Sequence, residues 1–376
     1  MYIYTMLSIK ESKFTTKLKT NVDTQNTITL NKESTNILQY FFHQLKEHTG
    51  KVQHITPDIY PVSIDNLHMQ SSHLFPKFII NRIKDKMSYV YVYRFPVNHR
   101  EITLNFIVDK KRNIYNTYYQ LVYTWLSIIS TYSDTWCSSH LDIHIYLSDV
   151  KKLLPPTNGT ILGSDHVNTA YTYGGCKYKN EIVIYRKEEW FKVFIHETIH
   201  SFALDYSFVD NSDINEQLRM IFPAISKTDS YESYCEVWAL IWNSLFHSFV
   251  EHPKNFTSFL NSFKKIYSLE FHFARHQVLK ILEHMNMKYD DLFTNNTFRE
   301  KTNVFAYYIL KTIVCQNLTG FLSMCNSSDN IMMFERTSEG YERFLELIRQ
   351  SLSRFRLHKE HLSTSNSLRM TMHDFE

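Results

Sequence analysis

Residues 196 to 200 read His-Glu-Thr-Ile-His, two imidazoles four positions apart with a carboxylate beside the first. On a helix, side chains at i and i+4 stand on one face, so both rings can reach a single point. A neutral imidazole is a nitrogen ligand for zinc at about 2.0–2.1 Å, and two of them from consecutive turns supply half of a tetrahedral shell. Glu197, next to the first ring, can face an open coordination position, take a proton from water there and pass it to a leaving amine. The surroundings favour this chemistry. Trp190, Phe191, Val193, Phe194, Ile195, Ile199, Phe202 and Ala203 flank the polar trio, and polar groups set among so many apolar ones are unfavourable without a partner. Glu188 and Glu189 precede the segment, where acidic residues favour a helix start. The competing reading is a core helix whose histidines are satisfied by protein groups, in a chain with 19 histidines.

A third ligand is expected from a later helix. Glu232-Ser233-Tyr234-Cys235-Glu236 opens an apolar run through Val237, Trp238, Ala239, Leu240, Ile241 and Trp242. Two carboxylates one turn apart share a face, so one can bind the metal while the other accepts from a ligand imidazole and fixes its tautomer. The spacing leaves open which does which. Tyr231, Tyr234 and Trp238 around them argue against two ordinary surface glutamates. An oxyanion formed during hydrolysis needs a donor opposite Glu197. Tyr307 and Tyr308 are the first candidates, followed by Tyr231, each competing with a structural role in a chain of 25 tyrosines. His166, His272, His276 and Arg369 are further candidates for substrate contact, whereas Met370 and Met372 read as packing.

HExxH followed by ExxxE resembles the gluzincin clan, the thermolysin-like and neprilysin-like peptidases. The resemblance implies one zinc ion held by His196, His200 and Glu232, with Glu236 supporting a ligand imidazole; the reverse assignment of the two glutamates stays open. It also implies peptide-bond hydrolysis with Glu197 as general base. Val167 to Tyr171 resembles the edge strand on which that family lays an extended substrate, which makes Asn168 and Ala170 substrate-binding candidates. Thr169 separates the family's Asn-Ala pair here, which puts Asn168 in doubt beside the reading of an ordinary edge strand. The stretch from Asn168 to Ala239 is also similar to predicted zinc metallopeptidases encoded by large DNA viruses.

Around these residues the periodicity predicts an α+β fold. A helix is expected over Ser34–Thr49, a hairpin of Ser88–Phe95 with Glu101–Val108, and a long helix over Asn113–Tyr132. Strands over Leu141–Leu147, Val167–Tyr173 and Glu181–Arg186 then lead into a helix over Glu188–Tyr206. Beyond Asp210 the pattern is helical: Ile214–Phe222, Tyr231–Val250, Phe256–Tyr267, Phe271–Met285, Asn303–Leu318 and Gly340–Phe355. That order resembles a zincin-like unit: a twisted mixed sheet with backing and active-site helices above an all-helical lower lobe. The expected division is an extension over 1–85 whose first 30 or so residues are a polar arm, an upper lobe over 86–210, and a lower lobe over 211–376.

Composition bounds the partners. A net charge of +3 over 376 residues gives no global signal for nucleic acid, and the densest basic stretch, Asn81–Lys86, reads as a solvated face. No apolar run reaches membrane-spanning length. Five scattered cysteines, without a CxxC pair, argue against a disulfide scaffold and for a reducing compartment. The first ten residues do not read as a signal peptide. A cytoplasmic or virion location and a peptide or protein substrate, with neither nucleic acid nor membrane, are the expectations. The alternatives are an inactive zincin-fold binding or virion structural protein braced by a structural zinc, and a zinc hydrolase acting on another electrophile.

Overall fold

A computed structural model describes residues 28–63, 75–225, 228–294, 298–357 and 365–375. Nearly all of the expected polar arm, residues 1–27, lies outside the described residues. Helix α1, Lys32–Gly50, is started by the Asn31 side chain accepting from Ser34 N at 2.8 Å, and it buries Ile37, Leu38, Phe41, Phe42 and Leu45. Strand β1, Asp58–Pro61, and helix α2, Lys77–Lys86, follow. Neither was expected: β1 is exposed at all four positions and so has no alternation, and α2 buries only Ile79 and Ile83. Its polar side carries the Asn81–Lys86 stretch as a largely solvated face.

Strands β2, Tyr89–Val97, and β3, Arg100–Val108, form the hairpin, turning on Asn98 at φ 52°. Helix α3, Ile114–Ile129, is buried along almost its whole length. It leads to β4, His140–Tyr146, then β5, Ala170–Thr172, and β6, Lys179–Ile184. The sheet order is β1-β2-β3-β4-β6-β5, with β3, β4 and β6 parallel and β5 antiparallel to β6 at the edge. The strand expected over Val167–Tyr173 is shorter, because Ser164–Val167 forms a helical turn.

The rest is helical: α4, Trp190–Ser201; α5, Ser212–Ile221; α6, Ser230–Glu251; and α7, Phe256–His284. The two helices expected within α7 are one. Glu270 interrupts the apolar face, yet it is fully buried and accepts from Met372 N and His373 N. The reverse holds over Asn303–Leu318. Phe305–Leu310 is wound as a π-helix into α8, Lys311–Cys315, after which α9, Leu318–Asn326, starts afresh on the Asn317 side chain. Helix α10, Ser338–Arg354, precedes an irregular strap, residues 365–375, whose Leu368, Met370, Thr371 and Phe375 are buried. Trp190 Nε1 donates to Phe375 O at 2.8 Å, so the strap is fastened to the start of α4.

One apolar core runs from Ile37 to Phe375 and includes both faces of α4 and α6. Against expectation, Cys137 and Cys176 form a disulfide, with Cα atoms 4.5 Å apart. It ties the loop after α3 to the turn between β5 and β6, a juxtaposition that a separation of 39 residues does not signal. Cys235, Cys315 and Cys325 are buried and free. Among the described residues no helix is long and apolar enough to cross a membrane.

Candidate metal centre

Helix α4 has every residue from Trp190 to Ser201 buried, and its two ends are held by unlike devices. At the start, Glu189 sits in the left-handed region at φ 64°. It was expected to favour the helix start, and it stands just before the first turn rather than in it. Its carboxylate is buried, paired with Lys152, and accepts from Met370 N and Thr371 N. A non-glycine residue in that conformation is strained by about 1 kcal/mol or more, and it persists where the surroundings over-determine it. At the other end Ala203 adopts φ 54°, Ala203 N donates to His200 O at 3.0 Å and Leu204 N to Ile199 O at 3.0 Å. This is a Schellman turn with alanine where glycine is usual. Arg336 braces it by donating to Ala203 O and, at 2.8 Å, to Asp205 O. Mid-helix, Thr198 Oγ1 accepts from Trp125 Nε1 of α3 at 2.7 Å.

These constraints bring three acceptor atoms together. His196 Nε2 and His200 Nε2 are 3.1 Å apart, and Glu232 Oε2, from the first turn of α6, is 3.1 Å from the former and 3.2 Å from the latter. Behind them, His200 Nδ1 stands 2.7 Å from Asp205 Oδ2, and His196 Nδ1 3.0 Å from Glu236 Oε1 at an angle short of a well-aligned hydrogen bond. Carboxylates behind both rings put the imidazole protons on Nδ1, which leaves two nitrogen lone pairs and a carboxylate oxygen facing one another. Such a set needs either two further protons or one cation. Ligands at about 2.0–2.1 Å on a tetrahedral ion are separated by about 3.3–3.4 Å, close to the three separations found. The donor set, two nitrogens and one oxygen, suits zinc.

The charges agree. Burial alone would raise the Glu232 carboxyl, but His200 and His196 facing it hold it down at about 2. Burial also opposes ionisation of Glu236; the Lys192 ammonium, in direct contact, and His196 outweigh it and keep the carboxyl well below its ordinary range. Burial disfavours protonated His196 and His200, and the acidic neighbours overcome this for both, Glu232 and Glu236 at the first ring, Cys235, Asp205 and Glu232 at the second. A place that pulls protons onto two buried imidazoles attracts a divalent cation for the same reason. Glu197 differs from the other carboxylates: burial raises it, and the imidazoles only partly offset that.

Glu197 opens onto a small chamber of about 30 Å³ that is also lined by His196, Tyr307, Asn168, Ala170 and Met370. Tyr307 packs edge-on to His196, with ring centroids 6.1 Å apart. Burial, then the carboxylates of Glu232, Glu197 and Glu236, hold its hydroxyl well above the usual phenol range, so it is a donor. Tyr308 faces elsewhere: its hydroxyl donates to Leu368 O at 2.5 Å in the core. Tyr231 lies on the far side, 6.0 Å from the His200 ring. Asn168 precedes β5 and accepts from Thr302 Oγ1 at 3.0 Å. His166 accepts from Gly163 N within its own helical turn, Arg369 pairs with Asp374, and His276 is buried on α7. His272 lines a separate cavity of about 390 Å³ beside Arg275 and Arg354 that touches none of the triad.

Three neighbours carried no signal in sequence: Asp205, reached through the Schellman turn; Asn303, whose Nδ2 donates to Glu232 Oε1 at 3.2 Å; and Lys192 beneath Glu236. Asp205 lies five residues after His200, a spacing that brings a carboxylate back to the ring only because the helix ends at Ser201. No protein-family model, curated protein or solved structure matches the chain.

Proposed function

We propose that the protein is a zinc metallopeptidase of the gluzincin type, with zinc held by His196, His200 and Glu232. The observation that carries the reading is the convergence of the two Nε2 atoms and Glu232 Oε2 within 3.1–3.2 Å, with Glu197 alongside. On this reading Glu232 is the ligand and Glu236 the residue behind His196, since only Glu232 faces both Nε2 atoms. The sheet with α3 and α4 then corresponds to the upper lobe of a zincin-like unit, and the helices from α5 onward to the lower lobe.

When bound, the ion supplies Lewis acidity that polarises a carbonyl and acidifies water at neutral pH. The chain's own residues do the rest. Glu197, whose carboxyl burial shifts upward, takes the proton of the attacking water and returns it to the departing amine. The Tyr307 hydroxyl, kept protonated, donates to the oxygen that gains charge. Asn303 holds the outer oxygen of Glu232, leaving Oε2 turned to the imidazoles. The outer edge of β5, which pairs with no strand among the described residues, offers backbone groups to an extended peptide, with Asn168 just before the strand and Ala170 its first residue.

A second reading has a specific observation behind it. His196, Glu197 and His200 are each at most 8% exposed, and a site so closed also suits an inactive protein braced by a structural zinc. A peptide-library assay on zinc-loaded protein separates the two: cleavage that Glu197→Gln abolishes, with zinc retained, supports the enzyme, and no cleavage with zinc tightly held supports the brace. A cytoplasmic or virion location belongs to the proposal as well. The Cys137–Cys176 bond weighs against a fully reducing setting, and thiol counting on protein taken from its native setting tests it.

A further inference from the structure

The chamber beside Glu197 is narrow, and four of its lining residues are apolar. Val167 and Ala170 come from the edge-strand side, Val193 lies one turn before His196 on α4, and Met370 comes from the strap. All four are buried. Val167 and Val193 are β-branched and stiff at χ1. The Met370 backbone is pinned by its N–H to Glu189 Oε1 at 2.5 Å, and its sulfur lies 3.9 Å from Lys192 Nζ. A volume of about 30 Å³ accommodates about two water-sized groups, since one needs about 10–15 Å³. That is room for a methyl or a hydroxymethyl group and not for an isobutyl or a ring. Of the charged groups at its margin, Lys152 is matched with Glu189 and Glu236 with Lys192, and the remaining carboxylate, Glu197, repels an acidic side chain.

We propose that this chamber receives the side chain of one of the two residues flanking the scissile bond and limits that residue to glycine, alanine or serine. The inference rests on the peptidase reading and gives it a substrate class: extended peptides with a small residue at the cleaved bond. Met370 and Val193 are then specificity-determining. Met370, with three rotatable bonds and only the weak contact of its sulfur with Lys192 Nζ, is the wall whose shortening enlarges the chamber most directly.

The experiment uses full-length protein loaded with zinc and two matched peptide sets that vary the residue before and after the scissile bond among glycine, alanine, serine, valine, leucine and phenylalanine. At one of the two positions, kcat/KM for alanine should exceed that for leucine by at least tenfold, in line with the roughly 10–200-fold that a single misfit methylene carries in an apolar pocket. Met370→Ala should shift that leucine-to-alanine ratio upward by tenfold or more, and Val193→Ala, from another lining position, should do the same if the first variant folds poorly. Calorimetric binding of the same peptides to zinc-loaded Glu197→Gln gives a readout without turnover, and there too the alanine peptide should bind more tightly than the leucine one. Equal cleavage of leucine and alanine peptides at both positions overturns the size limit and leaves the peptidase reading standing. Absence of both cleavage and binding for every peptide overturns the peptidase reading and the inference with it.

Discussion

Asp205 is the residue whose replacement tests most sharply how the second histidine is held. Its carboxylate is fully buried, 2.7 Å from His200 Nδ1, and also accepts from Ser207 N at 3.2 Å. A hydrogen bond to a charged partner contributes about 1.5–3 kcal/mol, and 1.4 kcal/mol is a tenfold change in an equilibrium constant. Asp205→Ala should therefore weaken zinc binding by about 10–100-fold, the range found when groups behind a metal ligand are removed. Asp205→Asn keeps an acceptor and loses the charge, so it should fall between wild type and alanine. The turn itself should survive, because Arg336 binds the carbonyls of Ala203 and Asp205 rather than the carboxylate. Competition with a chromophoric chelator gives the affinities, and Asp210→Asn, an exposed carboxylate that accepts from Ser212 N, is the control with no expected effect. A folded Asp205→Ala protein that binds zinc within twofold of wild type would refute the reasoning.

Tyr307→Phe should keep zinc affinity and lower kcat by about 10²–10³-fold, as removal of an oxyanion donor does, whereas Tyr308→Phe should act on stability through its lost bond to Leu368 O; equal effects on kcat would contradict the assignment. Glu300 should make stability pH-dependent. Burial raises its carboxyl to about 7, the Phe305 N–H opposing and Asp229 adding, so between the unperturbed value of 4.5 and about 7 the folded chain keeps a proton that the unfolded chain has released. The stability is full below pH 4.5 and falls as pH rises through about 7, by up to about 3 kcal/mol. Glu300→Gln should flatten that slope in urea titrations at pH 5 and 8, and an unchanged slope would count against it. Replacing Cys137 and Cys176 by serine should lower stability by about 2–4 kcal/mol, and thiol titration of the unfolded wild-type protein should find three reactive cysteines without reductant and five with it. Five thiols without reductant would remove the cross-link from the account.

What could be read from sequence is what lies along one element. His196, Glu197 and His200 share a helix, as do Glu232 and Glu236, so their faces follow from spacing, and strands β2, β3 and β4 announce themselves by alternation or apolar character. Contacts made by chain reversal could not be read. Asp205 reaches His200 only because Ala203 takes a positive φ without the glycine that marks such turns. Asn303 meets Glu232 across 71 residues, and Met370 enters the chamber from a strap without periodicity. Glu270 misled in the opposite direction, since a buried carboxylate satisfied by backbone N–H groups looks in sequence like a helix break. Which glutamate faces the imidazoles was likewise beyond spacing, because it depends on how α6 is rotated against α4.

Zinc analysis of purified protein, joined to X-ray absorption at the zinc edge, tests the central claim most directly. The account predicts one zinc per chain in a shell of two imidazole nitrogens, one carboxylate oxygen and one further light atom. The ion should be lost in His196→Ala and Glu232→Ala and kept in Glu197→Gln. Zinc held equally well by Glu232→Ala, or a shell containing cysteine sulfur, would contradict it.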